Sequence, residues 1–134
     1  MRRLSRNSLP NALQRAIEKR ELEVHYQPIV NQISGEIIGM EALLRWHHPQ
    51  EGYISPGIFI PLAEKLNLIV PLTDFVLDDI SHWLSRRPEL FVRRYVSINI
   101  SRLHLLQQDL AGQIKQRCEQ NTRFASHLLL EITE

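Results

Sequence analysis

Four short apolar runs alternate with helical patterns along this chain, and that order limits the folds that it can adopt. The runs cover residues 22–27, 37–41, 95–100 and 128–132. Strands that alternate with helices build a parallel sheet, and in α/β barrels the chemistry gathers at the carboxyl ends of the strands. Each run ends in or surrounds one polar residue. The sequence therefore predicts that these four share one rim: Gln27, Glu41, Asn99 and Glu131.

The connections before and after the first two runs have distinct patterns. Apolar residues at helical spacing predict a helix before the first strand that ends near Arg20. The segment 31–35 is polar and contains a glycine, which predicts a tight connection between the first two strands. Residues 50–53 are interpreted as a loop. The tight connection is a departure from a regular alternating barrel.

Two helices are predicted between the second and third strands. Ser55 and Pro56 form a strong helix start, because a side-chain cap is followed by proline in the first turn. Another helix is predicted to begin near Pro71 and to stop before Pro88. Its apolar stripe includes Trp83, which is interpreted as a core residue.

Size and charge exclude several classes of protein. With 134 residues and a formal net charge of +1, the chain is at most one domain and has no basic face for duplex nucleic acid. A single cysteine, Cys118, cannot form an internal disulfide and is predicted to be a small, half-buried side chain. No membrane span or secretion signal is recognisable, so we expect a cytoplasmic chain. The arginines within residues 1–6 are also compatible with a parent protein tethered to the inner membrane.

The histidines predict no zinc site. Neighbouring His47 and His48 point in different directions, and one cysteine cannot complete a ligand set. We interpret the histidines as loop and surface residues: His25, His47, His48, His82, His104 and His127.

Carboxylates within apolar strands indicate a different kind of site. Taken singly, Glu41 fits an ion pair with Arg45 at helical spacing, Asn99 fits a strand end, and Glu131 and Glu134 fit solvated charges. However, an unpaired carboxylate in a buried strand is costly unless a cation accompanies it. Ligands that are all oxygen favour a hard cation such as Mg²⁺, Mn²⁺ or Ca²⁺.

The segment Glu41-Ala42-Leu43-Leu44-Arg45 resembles the signature of the EAL domain family, the bacterial cyclic di-GMP phosphodiesterases. A match of three residues alone is weak, but three further stretches agree with the family in order and spacing. They are residues 26–29, 97–101 and 130–134.

The resemblance implies an α/β fold, a partial (β/α) TIM-like barrel of the EAL type. It would contain about four strands with flanking helices, and the second strand would be antiparallel. We expect residues 1–12 to be a tail or the start of the first helix, and residues 13–134 to be the truncated N-terminal half of an EAL domain. Closed barrels need about 250 residues, so the barrel is expected to be incomplete.

The same resemblance assigns site residues by matching position. Glu41 would be catalytic, and the metal ligands would be Glu41, Asn99 and Glu131. The substrate would contact Gln27, Leu43 and Arg45, with Arg45 near a phosphate. Glu134 would stabilise a loop over the site. The implied cofactor is Mg²⁺ or Mn²⁺.

The implied reaction is the hydrolysis of cyclic di-GMP to linear pGpG by two-metal catalysis. The family's later Asp-Asp-Phe-Gly-Thr-Gly stretch and its lysine are not found in residues 1–134, and Asp78-Asp79 lies in a helical pattern. We therefore expect this chain alone to be inactive and to bind cyclic di-GMP weakly or not at all. The open sheet edge predicts self-association. The alternatives are a non-catalytic module that binds nucleotide or protein, and a fragment without a function.

Overall fold

The computed structural model describes residues 8–107 and 110–133 as a mixed sheet with helices packed on one face. The main elements follow in chain order: α1 (Leu9–Lys19), β1 (Leu22–Val30), β2 (Ile37–His48), β3 (Gly52–Ile54), α2 (Pro56–Lys65), α3 (Ile69–Arg86), β4 (Tyr95–Ser101), α4 (Arg102–Gln107), α5 (Leu110–Gln120) and β5 (Leu128–Thr133). Short 3₁₀ turns occupy Pro88–Phe91 and Ala125–His127. This architecture confirms the predicted α/β class.

The strands lie in the order β1-β2-β4-β5, and β3 pairs with β2. β1 is antiparallel to β2, whereas β2 is parallel to β4 and β4 is parallel to β5. The antiparallel relation between the first two strands is thus confirmed. In the order β1-β2-β4-β5, however, the strand that runs opposite to the other three is β1, whereas we expected the second strand to do so. A tight turn in the sequence shows only that the two strands it joins run in opposite directions, not which of them differs from the rest. The crossover through α2 and α3 makes β2 parallel to β4.

The tight connection between β1 and β2 is held by its own polar groups. The Oδ1 of Asn31 accepts hydrogen bonds from the backbone N–H groups of Ile33 and Ser34, at 2.9 and 3.1 Å. Gly35 has φ of +74°, a conformation that glycine adopts without steric cost. These interactions confirm the turn predicted for residues 31–35.

The predicted helix boundaries agree closely with the structure. α1 ends at Lys19, and the next residue, Arg20, caps it in a left-handed conformation. The Ser55 side chain accepts the backbone N–H two residues further on, so it caps α2 as predicted. α3 begins at Ile69, two residues before the expected proline, and ends at Arg86. Among the described residues, no helix combines the length and the apolar character needed to cross a membrane.

The segment interpreted as a loop at 50–53 contains part of a short strand. Gly52–Ile54 forms β3 and pairs with the end of β2, where Tyr53 is opposite His47. The turn is possible because Gly52 has φ of +73° and because His48 Nδ1 accepts the N–H groups of Gln50 and Glu51. A three-residue strand has too short a pattern to be recognised from sequence.

Two apolar clusters lie between the sheet and the helices. The first contains Trp46, which is fully buried and meets Phe59 edge to face at 5.7 Å between ring centroids. The second contains strand residues such as Ile98 packed with helical residues such as Leu77. Trp83, which we expected in the core, is 39% exposed. It lies at the edge of the stripe of α3, where no described element covers it fully. Cys118 is half-buried, as predicted.

His104 corrects the interpretation of all histidines as loop or surface residues. It is fully buried, and its ring nitrogens bond to Thr73 Oγ1 at 3.1 Å and to Gln113 Oε1 at 2.8 Å. Gln113 in turn donates to Asp74 Oδ1 at 3.0 Å. Buried polar groups are tolerated when they are hydrogen-bonded in this way. The network joins α4 and α5 to α3, on the helical side of the sheet that contains β4 and its residue Asn99.

One partly buried tyrosine connects the first strand to α3. The Tyr26 hydroxyl donates to Asp79 Oδ2 at 2.6 Å. Burial, followed by the bond to Asp79 and its negative charge, raises the pKa of Tyr26 well above the usual value near 10. The folded state therefore keeps this proton more tightly than the unfolded chain does.

We expect Tyr26→Phe to lower the free energy of unfolding by about 1 to 2 kcal/mol at about pH 8, through loss of this hydrogen bond. Because the folded pKa is raised, the contribution is fully present below about pH 10 and decreases at higher pH, where only the unfolded tyrosine ionises. Urea unfolding of both proteins at about pH 8 and about pH 11 measures the difference. Tyr53→Phe is the control, since Tyr53 is 52% exposed. A difference that does not shrink at high pH contradicts the prediction.

Candidate functional site

The site residues lie on the sheet face that the helices leave open. Side chains alternate between the two faces of a strand. Ala42, Ile98 and Ile100 face the helices, because all three belong to the second apolar cluster. Glu41 and Asn99 therefore project from the opposite face.

The register places the predicted residues on neighbouring strands. Gln27 is directly opposite Glu41 in the pairing of β1 with β2, and Asn99 is directly opposite Glu131 in the pairing of β4 with β5. Glu41 is opposite Ser97, so it lies two residues below the level of Asn99. The four side chains thus form a band on one face of adjacent strands.

The position of Glu41 differs from the expectation that all four residues share a rim. It is the fifth residue of the 12-residue strand β2, so it lies within the strand. β2 continues beyond it because both β1 and β3 pair with its second half. The prediction placed the end of the strand where its apolar pattern ends. That pattern reports only a change in the side chains, whereas the backbone pairing that defines β2 continues past Glu41.

The alternative of a helical ion pair between Glu41 and Arg45 does not apply. Both residues lie in β2, where four residues span roughly 13 Å. Arg45 Nη1 donates to the carbonyl of Leu44 at 3.1 Å, and its Cζ lies 6.0 Å from the centroid of the Tyr53 ring. Among the described residues, Arg45 has no ion pair with a carboxylate. Its guanidinium can therefore accept an anionic ligand.

The chemistry of the donors fits a hard divalent cation. Glu41 and Glu131 supply carboxylate oxygens and Asn99 supplies an amide oxygen, which are ligands that Mg²⁺ and Mn²⁺ accept. The hydroxyl of Ser97, opposite Glu41, is fully buried and has no hydrogen-bond partner in the described part of the chain. A buried unsatisfied hydroxyl at this level can be satisfied by an additional group. The residues present are therefore compatible with the implied metal.

A cavity of about 150 Å³ adjoins this band where β2 and β4 approach α2 and α3. Its lining includes Leu43, Arg45 and Asn99 from the strands, together with Ile60 and Thr73 from the helices. The cavity combines an apolar wall with one cation and an amide. Its lining is therefore mostly apolar, with a guanidinium that can contact an anionic group.

The only adjacent aspartates in the chain have structural partners. Asp78 accepts hydrogen bonds from Arg117 at 2.9 and 3.0 Å, and Asp79 accepts the hydrogen bond of Tyr26. Both lie in α3, as the helical pattern predicted, on the side of the sheet away from Glu41. Glu134, which the resemblance assigns to a loop over the site, lies outside the described residues.

A second polar cluster lies on the open face, and the sequence patterns did not predict it. The carboxylate of Glu23 lies 3.0 Å from His25 Nε2 and 3.6 Å from His47 Nε2. The hydrogen bond with His25 is the main cause that lowers the pKa of the Glu23 carboxyl, and the two imidazoles add to it electrostatically. The spacing of Glu23 and His25 places them on one face of a strand. The contribution of His47 follows only from the pairing of β1 with β2.

Comparison with known proteins finds a family model and similar sequences that cover most of the chain. A model of the EAL domain family matches residues 10–134. The bifunctional diguanylate cyclase/cyclic di-GMP phosphodiesterase MucR of Pseudomonas aeruginosa is 40% identical over 126 residues, which are 91% of this chain and 18% of that protein. The probable cyclic di-GMP phosphodiesterase PdeG of Escherichia coli is also 40% identical over 126 residues, with 91% of this chain and 24% of that protein covered. The chain thus spans about a fifth to a quarter of these relatives.

Solved structures share the fold. The MucR phosphodiesterase in complex with c-di-GMP superposes with a TM-score of 0.83 at 40% identity, over 95% of this chain and 52% of that chain. The EAL enzyme Bd1971, bound to cAMP and cyclic di-GMP, gives a TM-score of 0.79 at 30% identity, over 96% of this chain and 36% of that one. The arrangement of β1 to β5 and their helices is therefore that of the corresponding part of an EAL domain.

Proposed function

Because the chain belongs to the EAL domain family, we propose that its residues form one side of a cyclic di-GMP phosphodiesterase site. The observation that supports this most strongly is the placement of Glu41, Asn99 and Glu131 on one open face of three adjacent strands. Relatives with about 40% identity are named as cyclic di-GMP phosphodiesterases. The proposed reaction is the hydrolysis of one phosphodiester bond to give linear pGpG.

In this proposal, Glu41, Asn99 and Glu131 hold a divalent metal, Mg²⁺ or Mn²⁺, through their oxygens. When bound, such a metal lowers the pKa of a coordinated water and neutralises charge on phosphate oxygens. The chain's own task is to keep these oxygens in place on paired strands. A site on paired strands holds its geometry better than one on loops. A second metal requires ligands that we do not assign to any residue of 1–134.

The substrate side of the proposed site is formed by Gln27, Leu43 and Arg45. Arg45 is suited to a phosphate, because its planar guanidinium makes paired hydrogen bonds and has no carboxylate competitor in the described residues. Gln27 is exposed and opposite Glu41, so its amide can bind a polar edge of the ligand near the metal. Leu43 adds an apolar contact between them. The loop role of Glu134 remains part of the proposal.

We expect purified 1–134 with Mg²⁺ or Mn²⁺ to produce no measurable pGpG from cyclic di-GMP. The physical reason is that one group of oxygen ligands stabilises only part of the charge that develops in phosphodiester cleavage, and each missing 1.4 kcal/mol lowers the rate about tenfold. Chromatography of the products over long incubation measures this. Linear product that disappears with Glu41→Gln contradicts the prediction.

The function itself is tested by transplanting the chain into a relative. Residues 10–134 are exchanged for the matching segment of the MucR phosphodiesterase domain, to which they are 40% identical. We expect the chimaera to hydrolyse cyclic di-GMP with Mg²⁺. A folded chimaera that neither binds nor hydrolyses the dinucleotide rejects the proposal. A chimaera that binds without hydrolysis favours the alternative of a regulatory binding module.

A further inference from the structure

A second site is suggested by the cluster of Glu23, His25 and His47. One ligand atom from each residue can be chosen so that all three atoms lie within 4.8 Å of one another. The Glu23 carboxylate lies between the two imidazoles, whose ring centroids are 6.2 Å apart. Among the residues that the structure describes, no other group of three His, Cys, Asp or Glu side chains meets this criterion.

The backbone holds the three residues on rigid neighbouring strands. Glu23 and His25 are two residues apart in β1 and share a face, and Glu23 is directly opposite Arg45 in β2. The N–H of His47 donates to the carbonyl of Glu21 at 3.0 Å, which continues the ladder beyond the first pair. A ligand set on paired strands needs little reorganisation when an ion binds.

The cluster is distinct from the proposed metal site of Glu41, Asn99 and Glu131. Glu41 is opposite Gln27, which lies four residues beyond Glu23 in β1, a separation of roughly 13 Å along the strand. The donors also differ in kind, because the cluster offers two imidazoles where the other site offers only oxygens. Mg²⁺ prefers oxygen ligands, whereas imidazole nitrogen suits Zn²⁺, Co²⁺, Ni²⁺ and Cu²⁺.

The environment of the cluster favours a cation that keeps part of its water shell. The side chains of His25, Glu23 and His47 are 53%, 59% and 49% exposed. Within the described residues, Glu23 has ion pairs with these two histidines and with no lysine or arginine. The His47 ring lies beside the Tyr53 ring, at 5.7 Å between centroids, which limits its rotation. Three protein ligands then leave at least one coordination position open to water.

We propose that Glu23, His25 and His47 bind a divalent transition-metal ion, with Zn²⁺ as the ion to be tested. The bound ion connects β1 to the end of β2 through two nitrogens and one carboxylate. It therefore joins the two strands on the same face that presents Arg45. The proposal does not depend on the phosphodiesterase function.

The test is a calorimetric titration of the full chain, free of affinity tags and treated with a chelator, with zinc chloride in a buffer that does not bind metal. We expect one Zn²⁺ per chain, a micromolar dissociation constant and a higher unfolding temperature. His47→Gln and Glu23→Gln should each weaken binding at least tenfold, because each removes one of three ligands. Cobalt should give visible absorption bands that are lost in the same variants. Circular dichroism checks that both variants are folded.

His82→Gln is the matched control, since His82 is an exposed histidine on α3 and contacts Trp83, not the cluster. It should bind Zn²⁺ as the unaltered chain does. Absence of zinc binding, or equal affinity in the folded His47→Gln and Glu23→Gln variants, overturns the proposal. Loss of zinc binding in Glu41→Gln with full binding in His47→Gln also overturns it, because the ion is then held at the oxygen site.

Discussion

Replacing Glu41 by glutamine in the chimaeric domain should lower the rate of cyclic di-GMP hydrolysis at least 100-fold. The substitution keeps the shape of the side chain and one oxygen donor, but it removes the negative charge that a divalent cation requires. Loss of one preorganised electrostatic group commonly costs about 100-fold to 1,000-fold in rate. Glu41 lies within β2 between the strands of Gln27 and Ser97, so no neighbouring backbone needs to move when its charge is lost.

The measurement is the initial rate of pGpG formation at saturating Mg²⁺, with Mn²⁺ affinity measured in parallel. Glu36→Gln is the control, because Glu36 is an exposed carboxylate at the turn of the same hairpin. It should retain the rate of the unsubstituted chimaera. A Glu41→Gln chimaera that keeps more than about a tenth of the rate is incompatible with the assigned role, since such a loss is below the range for a catalytic electrostatic group.

Trp46→Ala should destabilise the chain by about 3 to 5 kcal/mol, the range for truncating a large buried aromatic side chain. Trp46 is fully buried, packs edge to face on Phe59, and is paired with Leu22 across the β1-β2 ladder. The cavity left by the indole therefore lies between α2 and the sheet, where rigid strands limit relaxation. Urea unfolding followed by circular dichroism gives the free energy.

Trp83→Ala is a matched control, because it removes the same atoms from a position that is 39% exposed. Its ring contacts His82 at the surface of α3. We expect a cost of about 1 kcal/mol or less, which is typical of substitutions outside the core. Equal losses for the two tryptophans would show that the packing around Trp46 is not the dominant contribution to stability.

Local signals in the sequence identified most of the elements. The cap at Ser55 and the turn at 31–35 depend on side chains within a few residues of the backbone groups that they satisfy, and α1 ends where the backbone N–H of Arg20 bonds to the carbonyl of Ala16. Such signals are short-range, so they can be recognised without the fold. The three-residue strand β3 was missed, because its hydrogen bonds are made entirely to β2.

Burial was harder to predict, because it depends on what lies opposite. Trp83 and Trp46 are both set in apolar patterns, yet only Trp46 has sheet, helix and Phe59 around it. His104 has a polar side chain, yet it is buried because Thr73 and Gln113 from two other helices satisfy its nitrogens. These partners are 31 and 9 residues away in the chain, and no local pattern indicates them.

Glu41, Asn99 and Glu131 were predicted as metal ligands from the sequence alone, since oxygen-bearing residues within apolar strands and their spacing are properties of the chain order. Their levels on the sheet were decided only by the tertiary structure. The register places Glu41 opposite Gln27 and Asn99 opposite Glu131, and it also brings His47 to Glu23 and His25. The physical reason is that hydrogen bonds between strands join residues far apart in sequence, and a shift of one residue turns every side chain to the other face.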